Sequence, residues 1–293
     1  MNILRQGYYF LIYTNLLIAG AAMAQCALTY IFFQANFDYA MIGIEGAATL
    51  LLYNFSLLLS RPKFPQQSKY RRTRWVFKYE WILWLNSGFA AVVLAFAIFQ
   101  IHLYSLLLLA GIGLFSGAYS FPLFPYRGKL VGLRQLPAVK IFHIALVWTL
   151  SSVLLPAFEL YLDGSAIDTH RLLALFSLKF IFLLICTLPF DIRDIEQDSY
   201  YHLKTIPNMI GAERAIILCY VLLALHSSCV FLADFSWYLK IGILSTNLLI
   251  AIVLRTVVFR HAKRYHNAYL LDFALVMQFL VVLLSVNLFP ALR

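Results

Sequence analysis

The chain has 293 residues, of which 62% are hydrophobic and 12% charged, with a mean hydropathy of +0.81. A soluble globular domain is nearer about 45–50% apolar and about 25% charged, so that class is excluded. Disorder is excluded too, because 25 Phe, 18 Tyr and 5 Trp are far more aromatic side chains than a disordered chain carries. The net charge of +10 reads as the loop-orienting Lys and Arg of a membrane protein rather than as a nucleic-acid footprint, so no nucleic-acid partner is expected.

A transmembrane helix needs about 20 mostly apolar residues. Nine such segments follow along the chain, at about 8–33, 39–60, 81–101, 103–122, 138–156, 171–190, 213–233, 237–258 and 267–290. Arg5 followed by a long apolar run and Ala22-Met23-Ala24 imitates a cleaved leader, but the apolar run continues to Phe33, which favours an uncleaved first helix. Loops 61–80, 123–140, 191–214 and 255–266, with Arg5, hold nineteen of the 23 Lys and Arg. Every second loop is basic, which predicts nine spans with the amino terminus on the cytoplasmic side. The expected fold is an all-α integral-membrane bundle forming one transmembrane domain over 1–293, in a bacterial inner (cytoplasmic) membrane. The four cysteines lie inside apolar stretches without metal or redox spacing, and read as small buried hydrophobes.

Acidic residues are scarce, so their clustering carries information. Asp191, Asp194, Glu196 and Asp198 fall within eight residues where the sixth span leaves the membrane on its basic side. On a continuing helix Asp191, Asp194 and Asp198 share one face, Glu196 turns away and Arg193 points nearly opposite. Three carboxylates on one face repel, and a divalent cation relieves them; one or two carboxylates plus substrate phosphates is the usual magnesium arrangement. The plainer alternative is a solvated acidic helix end. Within the spans, Glu45 points to the opposite side of its helix from Asn54, Lys179 is a candidate partner for Glu45 or Asp272, and Asp272 sits near the basic interface. His143 and His226, in apolar surroundings, read as hydrogen-bonded packing residues.

The run D-x-x-D-x-x-x-D at Asp191, Asp194 and Asp198, followed by K-T-I-P-N-M-I-G at 204–211, resembles the second aspartate motif of the UbiA-type intramembrane prenyltransferase superfamily. Tyr119-Ser-Phe-Pro, Lys129 and Leu136-Pro-Ala-Val-Lys140 resemble that family's connection between its fourth and fifth helices. The resemblance implies a nine-helix fold whose aspartates face the cytoplasm. It implies transfer of an isoprenyl group from a prenyl diphosphate to a lipophilic acceptor, with Mg held by Asp191, Asp194 and Asp198, and the tail between helices among membrane lipids. It also offers Asn54, Arg61, Tyr119, Lys129, Lys140 and Lys204 as substrate contacts. One departure is large. The family's first motif, N-x-x-x-D-x-x-x-D, corresponds here to Asn54, Leu58 and Pro62, and no Asp or Glu lies between Glu45 and Glu80. Arg61 or Lys63 is then a candidate for the missing positive charge. The alternatives are a catalytically impaired prenyl-lipid-binding or assembly protein on the same scaffold and, with less in its favour, a small-solute transporter, for which no inverted halves are visible.

Overall fold

The computed structural model of the chain describes residues 3–119, 124–126, 128–133, 136–200, 203–260 and 269–289. Over these residues the fold is an all-α membrane bundle with one small hairpin. Eight helices are long and apolar enough to cross a membrane, and Leu103–Gly117 is a shorter apolar one. In chain order the helices are α1 (Ile3–Tyr13), α2 (Leu16–Phe33), α3 (Tyr39–Leu59), α4 (Arg71–Lys78), α5 (Glu80–Ala97), α6 (Leu103–Gly117), α7 (Val139–Thr149), α8 (Leu155–Leu162), α9 (Thr169–Arg193), α10 (Ile195–Tyr200), α11 (Ile206–Ile210), α12 (Ala212–Leu232), α13 (Trp237–Val253) and α14 (Leu270–Leu288). β1 (Phe124–Tyr126) and β2 (Lys129–Val131) pair antiparallel between α6 and α7, Tyr126 opposite Lys129.

Three features depart from the predicted spans, each for a local reason. The first span is two helices. Asn15 takes a left-handed conformation (φ 61°), which Asn tolerates better than most residues, and the break turns its carboxamide into the bundle. The fifth span runs longer than expected, through a π-helical turn at Leu150–Leu154 and on into α8. Pro156 has no N–H for the Ser152 carbonyl, and the Thr29 hydroxyl donates to that carbonyl instead, at 2.7 Å. The basic segment 61–80, expected as a loop, folds α4, which buries Val76 and Phe77 and leaves Arg71 and Lys78 outward. The Trp75 and Tyr13 rings pack at 5.3 Å, tilted by 50°, and fasten α4 to α1.

The core runs between α2, α7, α9, α12, α13 and α14, with Phe182, Ile185, Leu188, Cys219, Leu254 and Leu271 among its fully buried members. α13 and α14 approach so closely at Gly242 that an added Cβ would lie 2.8 Å from the Val282 Cα, the small-residue packing that membrane helices use in place of a hydrophobic driving force. α5 presents Trp81, Trp84, Phe89 and Phe96 outward, as a lipid-facing helix does. Polar contacts also bind the two ends of the bundle. Asn15, Asn54 and Ser87 join the basic ends of α2, α3 and α5, while Gln34 and Tyr238 join α2 to α13 at the other end, at 3.2 Å.

Candidate functional site

A cavity of about 240 Å³ opens inside the bundle at its basic end. Its polar lining, Asn15, Arg72, Asp191 and Asp272, comes from the start of α2, from α4, the end of α9 and the start of α14. Its apolar lining includes Ile18 on α2, Leu183 on α9 and Leu275 on α14, each deeper than the polar residue of its helix, together with Ile141, Ile144 and Trp148 along α7. At 1.5 Å per residue, Leu183 sits about 12 Å below Asp191 along α9. A charged rim over an apolar shaft suits a ligand with an anionic head and a hydrocarbon tail.

The aspartate run is arranged differently from the predicted three-carboxylate face. Lys140, at the start of α7, places its ammonium 2.8 Å from Asp191 Oδ1 and 3.0 Å from Asp198 Oδ2. All three side chains are largely buried, so the attraction acts in a low dielectric. α9 ends at Arg193, and Asp194 caps it with non-helical dihedrals. There the Arg193 guanidinium, expected on the opposite side, donates to both Asp194 oxygens at 2.7 and 2.6 Å. The forked geometry of guanidinium and carboxylate explains the pairing once the helix has broken. Asp191 Oδ2 is buried and without a hydrogen-bond partner, on a residue of the cavity wall. Asp191 is thus the motif residue that faces the cavity.

The K-T-I-P-N-M-I-G segment holds this arrangement through its backbone. The Lys204 carbonyl accepts from Ala138 N–H at 2.8 Å, two residues before Lys140, while the Lys204 side chain is exposed. Asn208 Nδ2 donates to the Leu203 carbonyl at 3.0 Å, and Leu203 N–H to the Asp198 carbonyl at 2.8 Å. Gly211 (φ 87°, ψ 156°) makes the turn into α12 in a region open essentially only to glycine.

The other sequence-predicted residues scatter. Asn54 is buried beside the rim and accepts from Asn15 Nδ2 at 2.8 Å. Tyr119 stacks on the His143 ring at 5.6 Å and lies within electrostatic range of Lys140. Arg61 reaches Glu80 at 2.9 Å and covers Phe77, away from the cavity lining. The Lys129 side chain lies outside the described residues, although its backbone pairs in β2. Lys179 meets neither Glu45 nor Asp272. Its ammonium donates to Gln25 Oε1 at 2.7 Å and to the Gln25 carbonyl at 3.0 Å, which satisfies a buried cation with neutral oxygens. His226 is hydrogen-bonded to Asn247, as expected of a packing residue.

Two residues that the sequence reading passed over belong to the rim, Arg72 and Asn15. Arg72 is one of seven Lys and Arg in its segment, and only the amphipathic pattern of 71–78 marks that segment as a helix. Asn15 is a polar residue inside an apolar run, and that was its available signal. A different cluster has metal-ligand spacing: among the described residues, ligand atoms of His102, Glu159 and Asp163 lie within 4.8 Å of one another. It sits at the opposite end of the bundle. There Glu159 Oε1 caps α6 by accepting from His102 N–H at 3.0 Å, and His102 Nε2 meets Asp163 Oδ1 at 3.0 Å.

No family model and no curated protein matches the chain. Two solved structures share its fold. One is a UbiA homolog from Archaeoglobus fulgidus bound to GPP and Mg2+, 14% identical, covering 95% of this chain and 99% of its own, with a TM-score of 0.58. The other is a UbiA homolog from the same organism bound to DMAPP and Mg2+, with the same identity and coverage and a TM-score of 0.56. The all-α membrane architecture expected from the sequence is therefore UbiA-like over the 95% of the chain that these structures cover.

Proposed function

We propose that this protein is a membrane prenyltransferase that takes a prenyl diphosphate, with magnesium, at the cytoplasmic end of its bundle and transfers the isoprenyl group to a lipophilic acceptor. The observation that carries the proposal is the cavity itself, an apolar shaft under a rim bearing Asp191 and Arg72. The prenyl diphosphates and Mg2+ bound by its structural neighbours support the same reading.

The residues fit a single magnesium ion better than a pair. Asp191 Oδ2 is a buried acceptor that lacks a donor, and an uncompensated buried acceptor costs about 1–3 kcal/mol. Asp191 would hold the cation, which would supply positive charge to the diphosphate leaving group. Lys140 holds the Asp191 and Asp198 carboxylates in place by supplying charge between them. Tyr53, Trp148, Phe190 and Tyr269 line the cavity, and aromatic faces stabilise an allylic cation as the carbon–oxygen bond breaks. The apolar shaft keeps water from that cation.

A second reading is favoured by the Lys140 contact and the missing first motif: the protein binds the prenyl diphosphate without turning it over. One experiment addresses both. Radiolabelled GPP is bound to the purified protein with magnesium or with EDTA, in wild type, Asp191→Asn and Asp194→Asn, and pyrophosphate release is followed with candidate acceptors. Magnesium-dependent binding that fails in Asp191→Asn supports the headgroup site, and release of pyrophosphate supports transfer. Binding indifferent to both magnesium and Asp191→Asn, or no binding, overturns the proposal; binding without release leaves the second reading standing.

A further inference from the structure

We infer that Arg72 is the residue that replaces the missing first carboxylate site, binding a phosphate group of the substrate directly, and that Asn54 and Asn15 are its positioning residues. The inference rests on the prenyl-diphosphate reading above.

On α3, Leu58 stands where the resemblance calls for a carboxylate. It packs instead into the apolar cluster of Ile12, Leu17, Val76, Leu83 and Tyr269, and Val76 belongs to the helix that carries Arg72. The lost carboxylate thus became part of the packing that seats a cation-bearing helix on the bundle.

The motif's Asn persists with a new task. Asn54 Nδ2 donates to Ser87 Oγ at 2.9 Å and to the Leu83 carbonyl at 3.4 Å, which locks its amide. Its Oδ1 accepts from Asn15 Nδ2 at 2.8 Å. That leaves Asn15 Oδ1 as an acceptor, and Arg72 Nη2 donates to it at 2.6 Å. On the other side Arg72 Nη1 donates to the Tyr269 hydroxyl at 3.0 Å, and the guanidinium carbon lies 5.7 Å from the Tyr269 ring centre. Both amide orientations in the relay follow from the donors and acceptors around them.

These bonds fix the guanidinium without exhausting it. Arg72 Nε is buried and has no hydrogen-bond partner, and Arg72 lines the same cavity as Asp191. The rim therefore carries a guanidinium N–H without an acceptor on α4, with Asp272 of α14 within electrostatic range of that guanidinium, and a carboxylate oxygen without a donor on α9. A diphosphate bridged to Asp191 by one cation, with a further oxygen on Arg72, satisfies both. Guanidinium suits this role because its planar fork matches phosphate and it stays charged at any physiological pH.

The test compares geranyl diphosphate with geranyl monophosphate by equilibrium binding, with magnesium or with EDTA, in wild type, Arg72→Gln, Arg72→Lys, Asn15→Ala and Asp191→Asn. Wild type is expected to retain weakened, salt-sensitive diphosphate binding in EDTA. Arg72→Gln is expected to lose about 10- to 100-fold in diphosphate affinity, the range of charge-assisted hydrogen bonds to phosphate, and to lose the binding that survives EDTA. Its preference for diphosphate over monophosphate should collapse, an effect that a merely loosened fold does not produce. Arg72→Lys should recover part of the preference, and Asn15→Ala should lower both the preference and the thermal midpoint, because it leaves Asn54 Oδ1 unpaired and frees the guanidinium. The inference fails if Arg72→Gln and Arg72→Lys keep the wild-type preference while Asp191→Asn abolishes magnesium-dependent binding. Should wild type bind no diphosphate at all, the underlying functional reading falls instead. If Arg72→Gln does not fold, the Arg72→Lys and Asn15→Ala preferences decide, unchanged values in both overturning the inference.

Discussion

At the end of α9 the protein keeps its carboxylates and sets a lysine from α7 between two of them. At the end of α3 it has no carboxylates, and an arginine from α4 reaches the same cavity through two asparagines. One region answers buried negative charge with a positive side chain; the other supplies positive charge where an acidic, metal-binding surface was expected. The contrast teaches that the charge at a headgroup rim can be carried by different elements. A motif that is degenerate along the sequence is not a region without polar chemistry.

The largest expected effect breaks the α9 side. Asp191→Asn should reduce magnesium-dependent GPP binding at least about 100-fold, because it removes the one carboxylate of the aspartate run that lines the cavity. Asp194→Asn should change it several times less, since Asp194 is engaged by Arg193. Equal losses in the two variants would restore the three-carboxylate face and sink the arrangement described here.

Lys140→Met is expected to come next. Removing one partner of a buried ion pair costs about 3–5 kcal/mol, here with two carboxylates left facing each other. Thermal unfolding in detergent should show a clear drop in midpoint, and added magnesium should restore part of it by taking the ammonium's place. A midpoint unmoved by the substitution would mean that the Lys140 contacts contribute nothing.

Gly211→Ala probes the backbone clamp behind the same region. Its dihedrals cost a non-glycine residue about 1–3 kcal/mol, and the expected result is a lower midpoint with weakened magnesium-dependent binding. A fully wild-type melt would argue against the strained turn. The smallest effect belongs to Arg61→Gln. Its bond to Glu80 is exposed and such pairs contribute about 0–1 kcal/mol. GPP affinity should stay within about twofold of wild type, which sharpens the distinction between Arg72 and the general charge of its segment. A tenfold loss would show that the segment acts by bulk charge.

Much of this was legible in the sequence, but unevenly. Asp191 stood out because acidic residues are rare and clustered, and Lys140 because it opens a span on the basic side. Arg72 was hidden among six other cations, all of which serve equally well as orientation signals. The expected face of Asp191, Asp194 and Asp198 assumed an unbroken helix; the turn at Asp194, where Arg193 meets its carboxylate, is not something helical periodicity reports. Lys179 was matched on paper to the scarce acids, yet a buried ammonium is also satisfied by amide and backbone oxygens such as those of Gln25.

Composition and the alternation of basic loops by themselves determined that this chain is a membrane bundle, because burial in lipid is a property of each segment's own residues. Spacing alone likewise located the aspartate run at a helix end. Tertiary structure decided which side chain meets which. Asn15 meets Arg72, Lys140 meets Asp191, and Leu58 packs beside Tyr269 because helices distant along the chain break and pack where they do. Hydropathy counts how polar a residue is, and it contains no information about the partner that satisfies it.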